Sequence, residues 1–188
     1  MSTFGMVVEG AYDEAALTEI IRTCVEGEIE VIGRPCFGSI ISKFRGFLEE
    51  FRYANQGSPV DKALVIMDAN GKDADQLIER AQERITNRKY PFPVKIVVII
   101  RELESWLLAD ETAISSVTVE YSGRTAPRVN EPPEEIVAPK ERLTGLLSGA
   151  GVYYTAEVAR RIAAAVDIER LSYRCPGFTR FREAVTDC

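Results

Sequence analysis

Three apolar runs in this chain each end in carboxylates, and they constrain the fold more than any other feature. Met6-Val7-Val8 leads into Glu9-Gly10. Leu64-Val65-Ile66-Met67 leads into Asp68-Ala69-Asn70-Gly71. Val97-Val98-Ile99-Ile100 leads into Arg101-Glu102-Leu103-Glu104. Short β-branched runs without polar alternation read as strands buried on both faces, the pattern of a parallel sheet. In an open α/β sheet, ligands sit outside the carboxyl ends of the strands. Three acidic strand ends on one edge would converge, and converging carboxylates repel unless a cation lies among them. Hard oxygen donors favour Mg²⁺ or Mn²⁺.

The 188 residues suffice for one domain with a sizeable core, or one domain with a small appendage. No apolar run approaches the roughly 18 residues of a membrane helix. Met1-Ser2-Thr3-Phe4 runs into the first strand without a charged leader, so no secretory signal is expected. Cys24, Cys36, Cys175 and Cys188 are widely spaced, with no Cys-x-x-Cys pair. Reduced thiols and a cytoplasmic location are the expectation. The chain has no histidine. That excludes Ser-His-Asp and Cys-His catalysis and His-dependent metal sites within it. Proton transfer falls to carboxylates, lysine, tyrosine or metal-bound water.

The net charge of −6 is unevenly spread: residues 1–120 hold thirteen Lys and Arg against twenty Asp and Glu, residues 121–188 ten against nine. A uniformly acidic surface repels nucleic acid. An acidic, metal-binding front half beside an arginine-bearing back half need not, because metal and guanidinium groups offset the repulsion locally.

The first half alternates strand and helix patterns. Strands are expected over residues 3–8, 28–32, 63–67 and 94–100, and helices over 13–26, 39–54, 73–88 and 103–108. This order implies a parallel sheet covered by helices. Gly123, Pro127, Pro132, Pro133 and Pro139 mark residues 121–139 as a long surface loop. Further helices are expected over 140–147, 155–166 and 178–185. The chain thus divides into an α/β core, residues 1–120, and a loop with a helical extension packed on it, residues 121–188. Trp106, Leu107, Leu108, Phe178 and Phe181 read as core. Arg160, Arg161, Arg174, Arg180 and Arg182 are candidates for a basic rim.

Glu9 ends the first strand, where Gly10 would permit a sharp turn. Asp68 and Asn70, and again Glu102 and Glu104, stand two apart, so each pair can face one ion from extended backbone. Asp13, Glu14, Asp73 and Asp75 open helices, where acids also serve as caps and dipole partners.

The series Val8-Glu9-Gly10-x-x-Asp13 followed by Met67-Asp68-Ala69-Asn70-Gly71 resembles the Toprim fold of topoisomerases, primases and overcoming-lysogenization-defect (OLD) nucleases. Glu102-Leu103-Glu104-Ser105-Trp106-Leu107-Leu108-Ala109-Asp110, then Glu134-Glu135, Pro139-Lys140 and Tyr153-Tyr154, is similar to a bacterial Toprim-like family catalogued as a domain of unknown function. Members of that family often accompany ABC- or SMC-type ATPases, including in antiphage systems. The resemblance spans nearly the whole chain. It implies an open, mainly parallel four-stranded sheet with a C-terminal helical extension. It also implies Glu9 as general acid/base, Asp13, Asp68, Asn70, Glu102 and Glu104 as metal-site residues for Mg²⁺ or Mn²⁺, and Lys140 as a phosphate or transition-state contact. Asn70 departs from the family pattern, which favours Asp there.

The leading expectation is a Mg²⁺-dependent nuclease acting on DNA or RNA, an effector of an ATPase-linked antiphage system. The rival is a non-catalytic module that binds an ABC/SMC-type ATPase. Nucleotidyl or strand transfer is a third reading, disfavoured because 188 residues hardly accommodate a domain carrying a nucleophilic tyrosine. Expected partners are nucleic acid, the ATPase and a second copy of the chain, with no membrane.

Overall fold

A computed structural model describes residues 1–187. Four strands, β1 (Ser2–Val8), β2 (Ile29–Pro35), β3 (Lys62–Asp68) and β4 (Val94–Ile99), form one sheet in the order β2-β1-β3-β4. Every pairing is parallel. The chain is therefore the open, parallel α/β architecture that the buried runs imply.

Period-two alternation divides the strands between two cores. Phe4, Met6, Val8, Leu64, Ile66, Val97 and Ile99 point to one face. Val7, Ala63, Val65, Met67 and Val98 point to the other. The second face is covered by α2 (Ile40–Glu50) and α3 (Ala74–Glu83), through Phe44, Leu48, Leu77 and Ala81. Phe51, just past α2, lies against the sheet where a Cβ on Gly5 would stand 2.5 Å from its ring. Only glycine at position 5 admits that approach.

The first face is covered by α1 (Ala11–Cys24) and by helices from the second half of the chain. These are α4 (Leu103–Leu107), α5 (Glu111–Ser122), α6 (Pro139–Gly149), α7 (Ala156–Ala165), α8 (Ile168–Arg174) and α9 (Phe178–Thr186). Leu143, Leu147, Ile162, Phe178 and Phe181 share one buried cluster with β1, β3 and β4. Trp106 sits at its centre, fully buried, with the rings of Phe178 and Phe181 each 5.0 Å away in edge-on contact. Such packing adds about 0.5–1.5 kcal/mol per aromatic pair beyond area burial.

The helices over 111–122 and 168–174 went unread in the sequence. Both open on an aspartate cap: Asp110 accepts from the Thr112 and Ala113 amides, and Asp167 from those of Glu169 and Arg170. Asp110 also accepts from the Asp167 amide, at 3.0 Å, tying the two helix starts together. β2 extends three residues beyond the expected 32, and α3 stops at Glu83 rather than 88.

The proposed basic rim does not form. Arg160 and Arg161 pair with Glu157, Arg174 with Glu111, Arg180 with Asp75 and Arg182 with Glu169. Glu157 is on the same helix as Arg160 and Arg161, which reach other helices through Glu19 and Glu120; each of the five guanidinium groups is thus engaged by a carboxylate of another helix.

Candidate functional site

The strand order reverses between β1 and β3: the chain leaves β1 for β2 on one side and returns to β3 on the other. That switch point opens a crevice at the carboxyl edge, the usual ligand position in such sheets. Glu9 follows β1 and Asp68 ends β3, so the two carboxylates flank the crevice. Their proximity is direct, because the Asp68 amide donates to Glu9 Oε1 at 3.1 Å.

Other segments complete the cavity. Asp13, in the first turn of α1, accepts from the Gly10 amide at 2.8 Å. Gly10 is extended, with φ −156° and ψ −179°. The chain does bend at Glu9-Gly10, but any residue adopts that conformation, so the bend does not depend on glycine. Glu102 accepts from the Lys140 amide at 3.2 Å, tying the start of α6 to the end of β4. Glu104 is buried and accepts from Tyr154 Oη at 2.9 Å. Lys140 Nζ lies 4.8 Å from the centre of the Tyr12 ring, which packs 5.1 Å from Tyr154. Asn70 sits in a left-handed turn, φ 50°, with its amide bonded to Arg101 O at 3.1 Å.

Glu9, Asp13, Asp68, Asn70, Glu102, Glu104 and Lys140, all seven residues singled out in the sequence, line one cavity of about 260 Å³ together with Gly10 and Tyr12. A second cavity, about 250 Å³, shares Glu9, Asp68 and Asn70 and extends past Ser39 to Lys72. Asp73 lies outside the acidic cavity. Its carboxylate caps α3 by accepting from the Asp75 and Gln76 amides. Glu134 also lies elsewhere, accepting from the Gly177 amide at 3.1 Å. Tyr12 and Tyr154 were not identified as site residues. Tyr12 lies between Glu9 and Asp13 in sequence, and that position was the available signal.

The electrostatics record crowding of like charge. Burial, reinforced by Glu104 and Glu9, raises Asp13 to about 7, against the pull of the Gly10 amide and Lys140. Asp68 is raised well above the ordinary carboxylate range by burial and then by Asp13, Glu9, Glu104 and Glu102. Burial also raises Glu104, against the Tyr154 hydroxyl and Lys140. Burial and the Glu104 carboxylate raise the Tyr154 hydroxyl, keeping it protonated and a donor.

The donor set of carboxylates and one amide suits a hard divalent cation. The charge fits as well, since Lys140 is the one cation lining the cavity among the described residues. The side chains are turned toward chain donors, and among the described residues no group of three or more His, Cys, Asp or Glu is arranged to hold a metal ion as it stands.

Fold and site together define a parallel α/β domain with an acidic crevice at its switch point. Residues 8–186 match the family described as Domain of unknown function (DUF4276), and the chain belongs to that family. Its structure is similar to the C-terminal region of the Burkholderia pseudomallei OLD protein, at TM-score 0.44 and 16% identity, covering 97% of this chain and 98% of that one. No curated protein matches the chain. Among the described residues, no helix is long and apolar enough to cross a membrane.

Proposed function

We propose that the acidic crevice is the site of a Toprim-type, Mg²⁺-dependent nuclease that hydrolyses phosphodiesters in DNA or RNA. One observation carries this reading: five carboxylates from three chain segments line one small cavity, and four of them raise the fifth, Asp68. Mutually repelling, partly buried acids cluster at functional sites, where the perturbation serves the chemistry. Asp13, Asp68, Asn70, Glu102 and Glu104 would hold the metal. A bound divalent cation would supply an activated water and neutralise charge on the leaving oxygen. Glu9 would accept or return a proton at its carboxylate. Lys140, exposed at the rim, would orient the phosphate and offset developing charge there. Tyr154 holds Glu104 in place through its hydroxyl. The resemblance in sequence further supports an ABC/SMC-type ATPase as partner and antiphage defence as the setting.

The non-catalytic reading also has one observation in its favour. Glu9, Asp13, Glu102 and Glu104 already accept hydrogen bonds within the chain. One experiment separates the two readings: cleavage of supercoiled DNA and structured RNA in Mg²⁺ and Mn²⁺, with and without the ATPase. Glu9→Gln should abolish cleavage while leaving the fold intact. Asp68→Asn should raise the metal requirement or abolish cleavage. Inert wild type on every substrate, combined with recovery of an ATPase in a pull-down, would establish the binding module instead.

A further inference from the structure

Opposite the acidic crevice lies a cleft of the other sign. Both α2 and α3 start at the carboxyl edge of the sheet and run back from it. Asp73 caps the start of α3 and Arg84 caps its end, a separation of about 16 Å at 1.5 Å per residue. Between the far ends of these helices is a cavity of about 550 Å³, lined by Arg45, Glu49, Arg52, Glu83, Arg84, Asn87, Arg88 and Lys89. Five cations face two carboxylates there, in a chain whose net charge is −6.

The internal pairing leaves cationic capacity over. Glu49 takes both Arg52, at 2.5 Å, and Arg88, at 3.4 Å. Arg52 also donates to Lys89 O at 2.6 Å and lies 5.1 Å from the centre of the Tyr90 ring. Arg45, Arg84 and Lys89 form no ion pair among the described residues. Arg84 Nε, in the cleft lining, is shielded from solvent and has no hydrogen-bond partner. A shielded donor left without a partner is costly, and an acceptor oxygen from a ligand would relieve it. Three cations without an ion pair, one of them with a shielded and unpartnered Nε, describe a recess short of acceptor oxygens.

We infer that this cleft is a second, metal-independent site that binds a polyphosphate group of the triphosphate class. Guanidinium forks match phosphate oxygens in pairs. Three unpaired cations within one compact recess suit an anion carrying several charges in a small volume, rather than an extended nucleic-acid backbone. The group could belong to a free nucleoside triphosphate or to inorganic triphosphate. The acidic crevice, which repels anions, cannot account for such binding without metal.

The test is isothermal titration of the full chain in EDTA with sodium triphosphate, with ATP, and with a single-stranded DNA dodecamer lacking terminal phosphates. Triphosphate should bind with one-to-one stoichiometry and weaken as salt rises. ATP binding alongside it assigns the site to nucleotides, and triphosphate binding alone to the inorganic anion. Arg45→Gln combined with Arg84→Gln should weaken binding at least about tenfold, in line with losing two charge-assisted contacts. Arg124→Gln, on the exposed loop, should leave it unchanged. If the double variant does not fold, Lys89→Gln at an exposed position carries the test with about a threefold loss. No binding of triphosphate or ATP overturns the inference, as does wild-type affinity in a folded double variant, or binding of the dodecamer alone. Absence of cleavage with triphosphate binding intact would count against the nuclease reading only.

Discussion

Asp13→Asn should stabilise the metal-free protein, and only above acidic pH. Asp13 keeps its proton in the folded chain up to about pH 7, against a value of 3.8 when unperturbed. Between those two values the folded state binds more protons than the unfolded state, so stability falls as pH rises. Above pH 7 the full cost is present, and below the unfolded value it is absent. A shift of about three units corresponds to at most about 4 kcal/mol. Relaxation and water entry on ionisation reduce this to on the order of 2 kcal/mol. Asparagine removes the charge yet can still accept from the Gly10 amide, which bonds Asp13 at 2.8 Å. The gain should therefore be about a quarter of its plateau at pH 4.5, grow through pH 6 and level off above pH 7. In a chain of this size about 2 kcal/mol raises Tm by roughly 4–8 °C. Thermal and urea unfolding in EDTA at pH 4.5, 6 and 8 measure it. Adding Mn²⁺ at pH 8 should stabilise wild type more than the variant, because a cation relieves the repulsion that the variant lacks. A gain of equal size at all three pH values, or destabilisation at pH 8, would refute the reasoning.

Tyr154→Phe removes the hydroxyl that donates to Glu104 at 2.9 Å. Urea unfolding should show a loss of about 1–3 kcal/mol at pH 8, and Mn²⁺ affinity by titration should fall because Glu104 is no longer oriented. Trp106→Ala empties the centre of the larger core, where Trp106 is fully buried between Phe178 and Phe181. The expected cost is about 3–5 kcal/mol, read as a lowered urea midpoint. Asn70→Asp should lower Tm in EDTA by adding charge beside Asp68, and should equal or exceed wild type in cleavage once Mg²⁺ is present.

The strands and the acidic edge were legible because burial on both faces forces unbroken apolar runs, and because a carboxylate directly after such a run has few structural uses. Glu9 and Asp68 stood out on that ground and flank the switch point. Glu102 and Glu104 were read from the same strand-end pattern, Lys140 entered through the family resemblance, and the cavity gathers all three with the others. The helix over Glu111–Ser122 was not legible. Its β-branched Ile114, Val117, Thr118 and Val119 carry weak helical preference, and packing with buried Ala113, Ile114 and Val117 prevails over that preference. Spacing along the chain reveals only i,i+3 and i,i+4 partners, so Glu157 was legible as a partner of Arg160 and Arg161, while Arg174 and Arg180 read as free. The partners of Arg180 and Arg174, Asp75 and Glu111, lie 105 and 63 positions away. The cleft of α2 and α3 was hidden for the same reason: Arg45 and Arg84 meet only after both helices fold back from the sheet edge.

Asn70 joins the backbone argument to the electrostatic one. Its φ of 50° lies in the left-handed region, where asparagine is among the few non-glycine residues tolerated. Lys72 closes the turn by donating its amide to Ala69 O at 2.9 Å, and the Asn70 amide is held by Arg101 O. The turn therefore fixes where the side chain leaves the backbone, and a short polar group is required there whether or not it binds metal. Aspartate would satisfy the same turn, but it would place a further negative charge in a cavity where Asp68 is already raised by four neighbouring acids. The amide keeps an oxygen donor at the rim and spares the metal-free fold that repulsion, at the cost of one charge toward a divalent ion. An interaction module with no need of a cation would gain stability by carrying the same replacement further, at Asp13 and Asp68. That these two remain carboxylates, half-buried and mutually repelling, is the feature a structural role leaves unexplained.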